Sequence, residues 1–259
     1  MPALNVTTVS EYSSEDVVNS YATRSQLQRP EARILEQLAP KLRNASMLDI
    51  GVGGGRTTVH FAPLVDHYVG IDYSQEMVDA CRSRFNGEHD HTSFAQCDAR
   101  DLSRFGDATF DFVLFSYNGV DYIDHTGRLE ALAEIERVLK PNGVLCFSTH
   151  NTGSIRKLFE LKYQLSLQPR SLVENLGRWL GLRWRYSRAK LTELKDAEHC
   201  VFFDGYRDTY YVDPLEQLRQ LEPGFTGTTV YSLDSGDEYA VSDLPAATDY
   251  WLYFLCSKR

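Results

Sequence analysis

Residues 47 to 56 read Met47-Leu48-Asp49-Ile50-Gly51-Val52-Gly53-Gly54-Gly55-Arg56, and no other stretch narrows the fold as much. A short apolar run meets a cluster of glycines, and Thr57-Thr58-Val59-His60-Phe61-Ala62 then has helical character. The pattern predicts a buried strand that turns sharply into a helix. Glycine at alternate positions permits positive φ and lets a ligand approach bare backbone. The helix start adds unpaired N–H groups that face whatever binds there.

Two ligand classes use such a turn. A dinucleotide site wants G-x-G-x-x-G, so that a pyrophosphate rests on the helix N-terminus. In the register that starts at Gly51, Arg56 stands where the last glycine belongs. What remains is Asp49-x-Gly51-x-Gly53-x-Gly55, with an acid that would repel a pyrophosphate and suits a cationic group such as an amino-acid ammonium. A nicotinamide enzyme is disfavoured on both counts. The motif resembles the first motif of class I S-adenosylmethionine-dependent methyltransferases.

A second acid supports that direction. Val69-Gly70-Ile71-Asp72-Tyr73-Ser74 reads as a short strand that ends in Asp72, about twenty residues after the glycines. In an open α/β sheet this places a carboxylate at the neighbouring strand's carboxyl edge, within reach of a ribose diol. Asp72 also suits a helix cap before Ser74, and both roles fit one strand-to-helix turn.

Further along, Gln75 to Phe85 is amphipathic, with Met77, Val78 and Cys81 on one side. Thr92 to Cys97 predicts a third strand ending at Asp98-Ala99, and Phe110 to Phe115 a fourth that runs into Ser116-Tyr117-Asn118-Gly119. Leu129 to Leu139 reads as a helix stopped by Lys140-Pro141-Asn142-Gly143. Val144 to Ser148 is the fifth strand, followed by Thr149-His150-Asn151. Alternating short strands and helices mean a parallel sheet covered on both faces. Ile135 to Gly143 resembles the methyltransferase segment before the fifth strand, so the resemblance covers roughly residues 47 to 150.

The resemblance implies a doubly wound, mostly parallel seven-stranded Rossmann-like α/β sheet whose last strand is antiparallel. The helix after Asp213-Pro214, a strand from Thr228 to Leu233 and a last strand from Tyr250 to Cys256 complete it. The loop from Asp234 to Thr248 is expected to be exposed. The sequence divides into an N-terminal helical lid (1–40), a methyltransferase domain (41–152 and 208–259) and a helical cap insertion (153–207). Helices are expected from Ser14 and from Pro30, the second ending before Pro40. Tyr12 and Tyr21 are the lid residues that the resemblance suggests.

The whole chain carries a formal charge of −9, which argues against generic affinity for nucleic acid. Five scattered cysteines, none in C-x-x-C spacing, argue against a disulfide framework or a zinc site. No leader or long apolar run is apparent, which predicts a soluble cytoplasmic protein. Between Ser154 and Cys200 the balance reverses, with ten Lys or Arg against five Asp or Glu. Arg156, Lys157, Arg170, Arg178, Arg183, Arg185 and Arg188 are expected to include groups that face the cleft and bind an acceptor carboxylate or phosphate. Trp179 or Trp184 would supply an apolar wall. A membrane-surface helix is the weaker reading of the same stretch.

Ligands in such sheets sit outside the carboxyl ends of the strands. The expected S-adenosyl-L-methionine site is therefore Asp49, Gly51, Gly53, Gly55, Asp72, Tyr73, Met77, Asp98, Ala99, Ser116 and Tyr117, with Tyr21 from the lid. In the resembled family the acid at Asp98 accepts from the adenine amino group. His150 is the candidate general base and Asn151 its orienter, with Tyr211, His125 and Tyr122 as alternates. Nucleic-acid methylases of similar fold carry an Asn/Asp-Pro-Pro-aromatic run after the fourth strand, and Ser116 to Gly119 has no proline. The paired carboxylates of metal-dependent catechol methylases are not evident, with Asp121 and Asp124 the acids left open, and no metal is expected. A small-molecule acceptor is favoured. A cofactor-binding module without turnover, or a nucleic-acid methyltransferase, are the alternatives.

Overall fold

The structure is a computed structural model that describes residues 23–87, 90–205 and 207–259. Tyr12, Tyr21 and the helix expected from Ser14 lie outside the described residues. The first described helix, α1 (Arg29–Leu42), has Pro30 in its first turn and buries Ile34, Leu38 and Leu42. It continues through Pro40, where an end was expected. Pro40 removes one late backbone hydrogen bond, and burial of Leu42 in the next half-turn outweighs that loss.

The sheet then builds outward from the middle. In chain order come β1 (Ser46–Ile50), α2 (Thr58–Phe61), β2 (His67–Asp72), α3 (Gln75–Arg84), β3 (Thr92–Gln96), β4 (Phe110–Phe115), α4 (His125–Val138) and β5 (Leu139–Asn151). Helices α5 (Ile155–Phe159), α6 (Pro169–Arg185) and α7 (Arg188–Lys195) follow, then β6 (His199–Phe203) and β7 (Asp208–Val212). The chain closes with α8 (Pro214–Leu221), β8 (Phe225–Ser232), β9 (Glu238–Tyr239) and β10 (Trp251–Lys258).

The main path through the sheet is β3-β2-β1-β4-β5-β10-β8-β9. Strands β3 to β5 pair in parallel, and β10 runs antiparallel between β5 and β8. Because side chains alternate across a strand, neighbouring residues enter different cores. Leu48, Val113, Leu145 and Phe254 face α4 and α8, while Met47, Phe112, Leu114, Cys146 and Tyr253 face α1 and α2. Each such large apolar side chain contributes about 1.5–3 kcal/mol on burial. This is the doubly wound Rossmann-like sheet that the strand pattern predicts.

Three stretches depart from the expected pattern. Strand β5 starts at Leu139 rather than Val144, because Leu139 pairs with Phe110 before a bulge shifts the register to Phe112–Val144. The stretch after residue 153 is helical only as far as Lys195, and then forms the β6–β7 hairpin. Its strands are the apolar runs Cys200–Phe203 and Thr209–Val212, which pair about a turn that contains Gly205 at φ 101°. Strand β7 docks in parallel on the carboxyl end of β5, placing Tyr211 opposite His150. The loop between β8 and β10 is not wholly exposed, since Leu244 and Ala247 enter the core. No described helix is long and apolar enough to cross a membrane.

Candidate active site

Gly51, Gly53 and Gly55 all take positive φ, at 65°, 55° and 80°. A Cβ at Gly55 would meet the Phe85 ring at 2.3 Å, so this turn tolerates no larger residue there. Two groups from α3 brace the loop: Cys81 Sγ donates to the Gly53 carbonyl at 3.0 Å and Arg84 to the Gly54 carbonyl at 2.7 Å.

Asp72 faces this loop from the end of β2. One carboxylate oxygen accepts from the Gly53 N–H and the other from the Ser74 N–H, both at 2.9 Å. Burial raises its pKa, against the pull of these backbone donors. A carboxylate has about four acceptor positions, so capacity remains beyond these backbone donors for an incoming hydroxyl. A vicinal diol would supply a donor that a desolvated carboxylate lacks. Tyr73 beside it is exposed, and Met77 is buried under the turn.

Asp49 sits differently from the expectation. It is 1 % exposed, and its Oδ2 accepts from Thr57 Oγ1 and Tyr68 Oη, both at 2.5 Å. Burial pushes its pKa up to about 6, with the two hydroxyls acting in the opposite sense. The acid is therefore a brace beneath the strand-loop-helix turn and not a carboxylate open to a cationic ligand.

Arg56, which breaks the dinucleotide fingerprint, has a partner twenty-five residues upstream. Its guanidinium forks onto Glu31 of α1, with both N–O distances 2.6 Å. Burial would raise the Glu31 pKa, but the hydrogen bonds and charge of Arg56 outweigh it and hold it below the ordinary value. Ser116 at the end of β4 donates to the same carboxylate, as does Tyr253 at 2.8 Å. Arg56 also lies 5.0 Å from the Tyr117 ring centroid. The expected cofactor residues Ser116 and Tyr117 thus belong to a latch that ties α1 across the strand ends.

At the end of β3, Asp98 is half-buried and Ala99 buried. Arg100 holds Asp98 at 2.6 Å, and this bond overcomes desolvation to keep the carboxyl below its ordinary pKa. Arg100 is itself about half exposed, and it forks onto both carboxylate oxygens.

The side expected to face the acceptor is assembled from distant parts of the chain. His150 at the end of β5 donates from Nδ1 to Asp121 Oδ2 at 2.6 Å, and its backbone N–H donates to the same oxygen at 2.7 Å. The other oxygen of Asp121 accepts from Arg128 at 2.6 Å and Thr149 at 2.5 Å. Asp121 and Arg128 are both buried, and Arg128 also donates to Gln217 at 2.8 Å. A carboxylate saturated in this way orients the imidazole through Nδ1, which leaves Nε2 as the acceptor in the neutral ring. Nε2 lies 3.5 Å from the Asn118 amide, too far for a strong bond. Tyr211 and Trp251 wall the ring at centroid distances of 4.9 and 5.6 Å. Burial holds the Tyr211 hydroxyl protonated, with its pKa well above the usual value.

Asn151 does not join this group. Its side chain donates to the Ala247 and Asp249 carbonyls and accepts from the Gly153 N–H, so it shapes a turn behind the strand. His125 bonds Tyr210 at 2.7 Å and stacks on His199, away from His150. Tyr122 receives a bond from Arg207. Asp124 caps α4, while Asp121 serves His150, so the two acids do not form a pair. Among the described residues no cluster of three His, Cys, Asp or Glu could hold a metal.

The sequence reading missed Glu31, Asn118 and Arg128. Asn118 carried one signal, the Asn-Gly pair after β4. It adopts φ 61° after Tyr117 at 56°, and its buried Oδ1 has no partner among the described residues. The basic segment also differs from expectation. The Arg170 side chain is 93 % exposed and Trp184 92 %, so neither lines the cleft. Arg156 pairs with Glu160, Lys157 reaches toward Asp234, and Trp179 donates to the Phe159 carbonyl. Arg178 is turned inward, donating to Gln164.

Comparison with known proteins finds methyltransferases. Residues 47–143 match the family model described as a methyltransferase domain. A demethylmenaquinone methyltransferase of Clavibacter sepedonicus is 34 % identical over 131 residues, covering 49 % of this chain and 51 % of that protein. A malonyl-[acyl-carrier protein] O-methyltransferase of Pseudescherichia vulneris is 28 % identical over 170 residues, covering 62 % of this chain and 64 % of that protein. The chain therefore spans between about half and two-thirds of the length of these relatives. Among solved structures, the N-methyltransferase NodS from Bradyrhizobium japonicum WM9, in complex with S-adenosyl-L-homocysteine, superposes with a TM-score of 0.57 at 14 % identity and covers 99 % of both chains. Residues 47–143 are thus similar to a methyltransferase domain, and the chain shares the fold of a solved N-methyltransferase.

Proposed function

We propose that this protein transfers the methyl group of S-adenosyl-L-methionine to a small-molecule acceptor whose attacking atom must lose a proton. The observation that carries the reading is the His150–Asp121 dyad, which stands at the carboxyl edge of the same sheet as the glycine loop. When bound, the cofactor supplies an electrophilic methyl on a sulfonium whose leaving group needs no protonation. The protein's own part is to hold, orient and deprotonate.

The residues around the turn fit such a cofactor. The glycine loop offers bare backbone, Asp72 retains acceptor capacity for a diol, and Asp98 with Ala99 suits an adenine edge. Asp49 keeps the loop in shape from below. On the acceptor side, His150 Nε2 takes the proton, and Asp121 stabilises the imidazolium that results. Arg128 and Thr149 hold Asp121 in register. General-base help of this kind contributes about 10²–10⁴ in rate, and alignment of donor with acceptor contributes up to ~7–11 kcal/mol more. Tyr211 and Trp251 supply the apolar walls of a small-molecule pocket. A hydroxyl or an acidic carbon, which such a base would activate, fits the dyad better than an amine that is already nucleophilic.

The test is a screen of metabolite fractions with methyl-labelled donor. Label transfer to a low-molecular-weight compound, with stoichiometric S-adenosyl-L-homocysteine, is the expected result. Tight donor binding with no turnover on any fraction would instead make the protein a binding module. NAD binding without donor binding would contradict the reading altogether.

A further inference from the structure

Helix α6 has two working faces, and only one of them meets the rest of the protein. Its inner face contributes Leu182 to a cluster with Ile155, Leu158, Phe202 and Tyr211. Its outer face carries Val173, Leu180 and Trp184, all exposed. At 100° per residue these three side chains fall within about 40° of one another, a continuous apolar line along one side. Gly177 and Gly181 beside the line have open surroundings. The segment leading into the helix adds Leu161, Tyr163, Leu165 and Leu167, which are also exposed. An apolar surface of this extent on a water-facing helix marks a contact site.

Charge identifies the partner. Residues 161 to 188 contain six Lys or Arg and one Glu, a surplus of +5. With −9 for the whole chain, the remaining residues carry −14. Arg170 and Lys162 border the apolar line and are largely exposed. Arg183 lies 5.0 Å from the Trp179 ring. A second copy docking here would bring two basic patches together in a self-complementary contact, which like charges oppose. An anionic surface is attracted to this basic segment and, on balance, repelled by the acidic remainder, so the charge favours one orientation as well as adding affinity.

We propose that α6 and the segment before it form a docking surface for an anionic lipid bilayer, lying in the interface with Trp184, Leu180 and Val173 among the headgroups. Exposed Trp and aliphatic residues flanked by Arg are the composition of helices that lie in an interface. The helix has 17 residues with arginine near both ends, and no described helix could span the bilayer. Docking would set the inner face of α6, which packs with Tyr211 beside His150, between the bilayer and the acceptor side. This inference does not depend on the methyl-transfer reading.

Flotation of the full chain with phosphatidylcholine vesicles, with and without phosphatidylglycerol, tests it. Co-flotation with the anionic vesicles at low salt, weakened by high salt, is expected. Leu180→Ser with Trp184→Ser should lower partitioning roughly tenfold or more. Reversal of Arg170, Arg183 and Arg185 to Glu should do the same. These are exposed positions, and unchanged circular dichroism and thermal melting would show the variants folded. No flotation at low salt, or binding that survives both sets of substitutions, overturns the proposal. So does a dimer in light scattering that the same substitutions dissolve, since the surface would then belong to a second copy. Capture of a purified acidic protein without lipid binding would overturn it as well.

Discussion

The two sides of the strand ends were built by different routes. The cofactor side comes from contiguous motifs: glycines at 51, 53 and 55 sit in one loop, and Asp72 and Asp98 each close the next strand outward. The acceptor side comes from residues that only the fold brings together. His150 belongs to β5, Asp121 to the turn after β4, Arg128 to α4 and Tyr211 to the β6–β7 hairpin. A local motif fails locally when one residue changes, whereas an assembled site fails through its buried partners.

The largest expected effect lies on the assembled side. Arg128→Met leaves Asp121 buried without its cation, and losing one partner of a buried pair costs about 3–5 kcal/mol. Chemical denaturation should show that loss as a lower midpoint with unchanged slope. A variant as stable as the parent would mean that the Arg128–Asp121 pair does not hold the fold together.

The next effect separates brace from ligand on the cofactor side. The folded pKa of Asp49 is raised from its ordinary value to about 6, so the folded state binds the extra proton between roughly pH 4 and 6. Its contribution to stability therefore falls as pH rises through that window, and is least favourable above pH 6. Two pKa units correspond to about 2.7 kcal/mol, the most this group can supply. Asp49→Asn should remove that slope, so the stability difference between variant and parent should shift toward the variant as pH rises from 4 to 7. A constant difference would show Asp49 ionised throughout.

A smaller effect is expected at Asp72, a residue that faces the loop and bears little of the core. Asp72→Ala should weaken donor binding by about 1.5–3 kcal/mol, the range for hydrogen bonds to a charged group. Calorimetry would give the affinity, and the melting curve should move far less than for Arg128→Met. Equal damage to both would erase the contrast between the two sides.

What could be read in the sequence follows the same division. The first five strands and the glycine turn were legible because period, glycine spacing and strand-end acids are near-neighbour properties. Arg56 was legible only as a departure from the dinucleotide pattern. Its reason, the fork onto Glu31, depends on how α1 packs against the turn. Asp49 stands in the expected motif, yet Thr57 and Tyr68 draw it beneath the loop, a placement decided by a side chain on the next strand. His150 was visible as a strand-end histidine, while its partner Asp121 was visible only as one acid in a turn. The β6–β7 hairpin was hidden because its apolar runs follow directly on a basic helical stretch, and its pairing with β5 spans some sixty residues. Some arginines of the basic segment were expected to face the cleft, and composition does not say which side of a helix meets the protein.

The central claim is that the cofactor side binds while the assembled side deprotonates. Once the labelled-donor screen yields an acceptor, His150→Ala tests this directly, with kcat and donor affinity measured on the same preparation. The expected result is a fall in kcat of about 10²–10⁴ with donor Kd nearly unchanged. An unchanged kcat, or a donor affinity that falls in step with the rate, would contradict it.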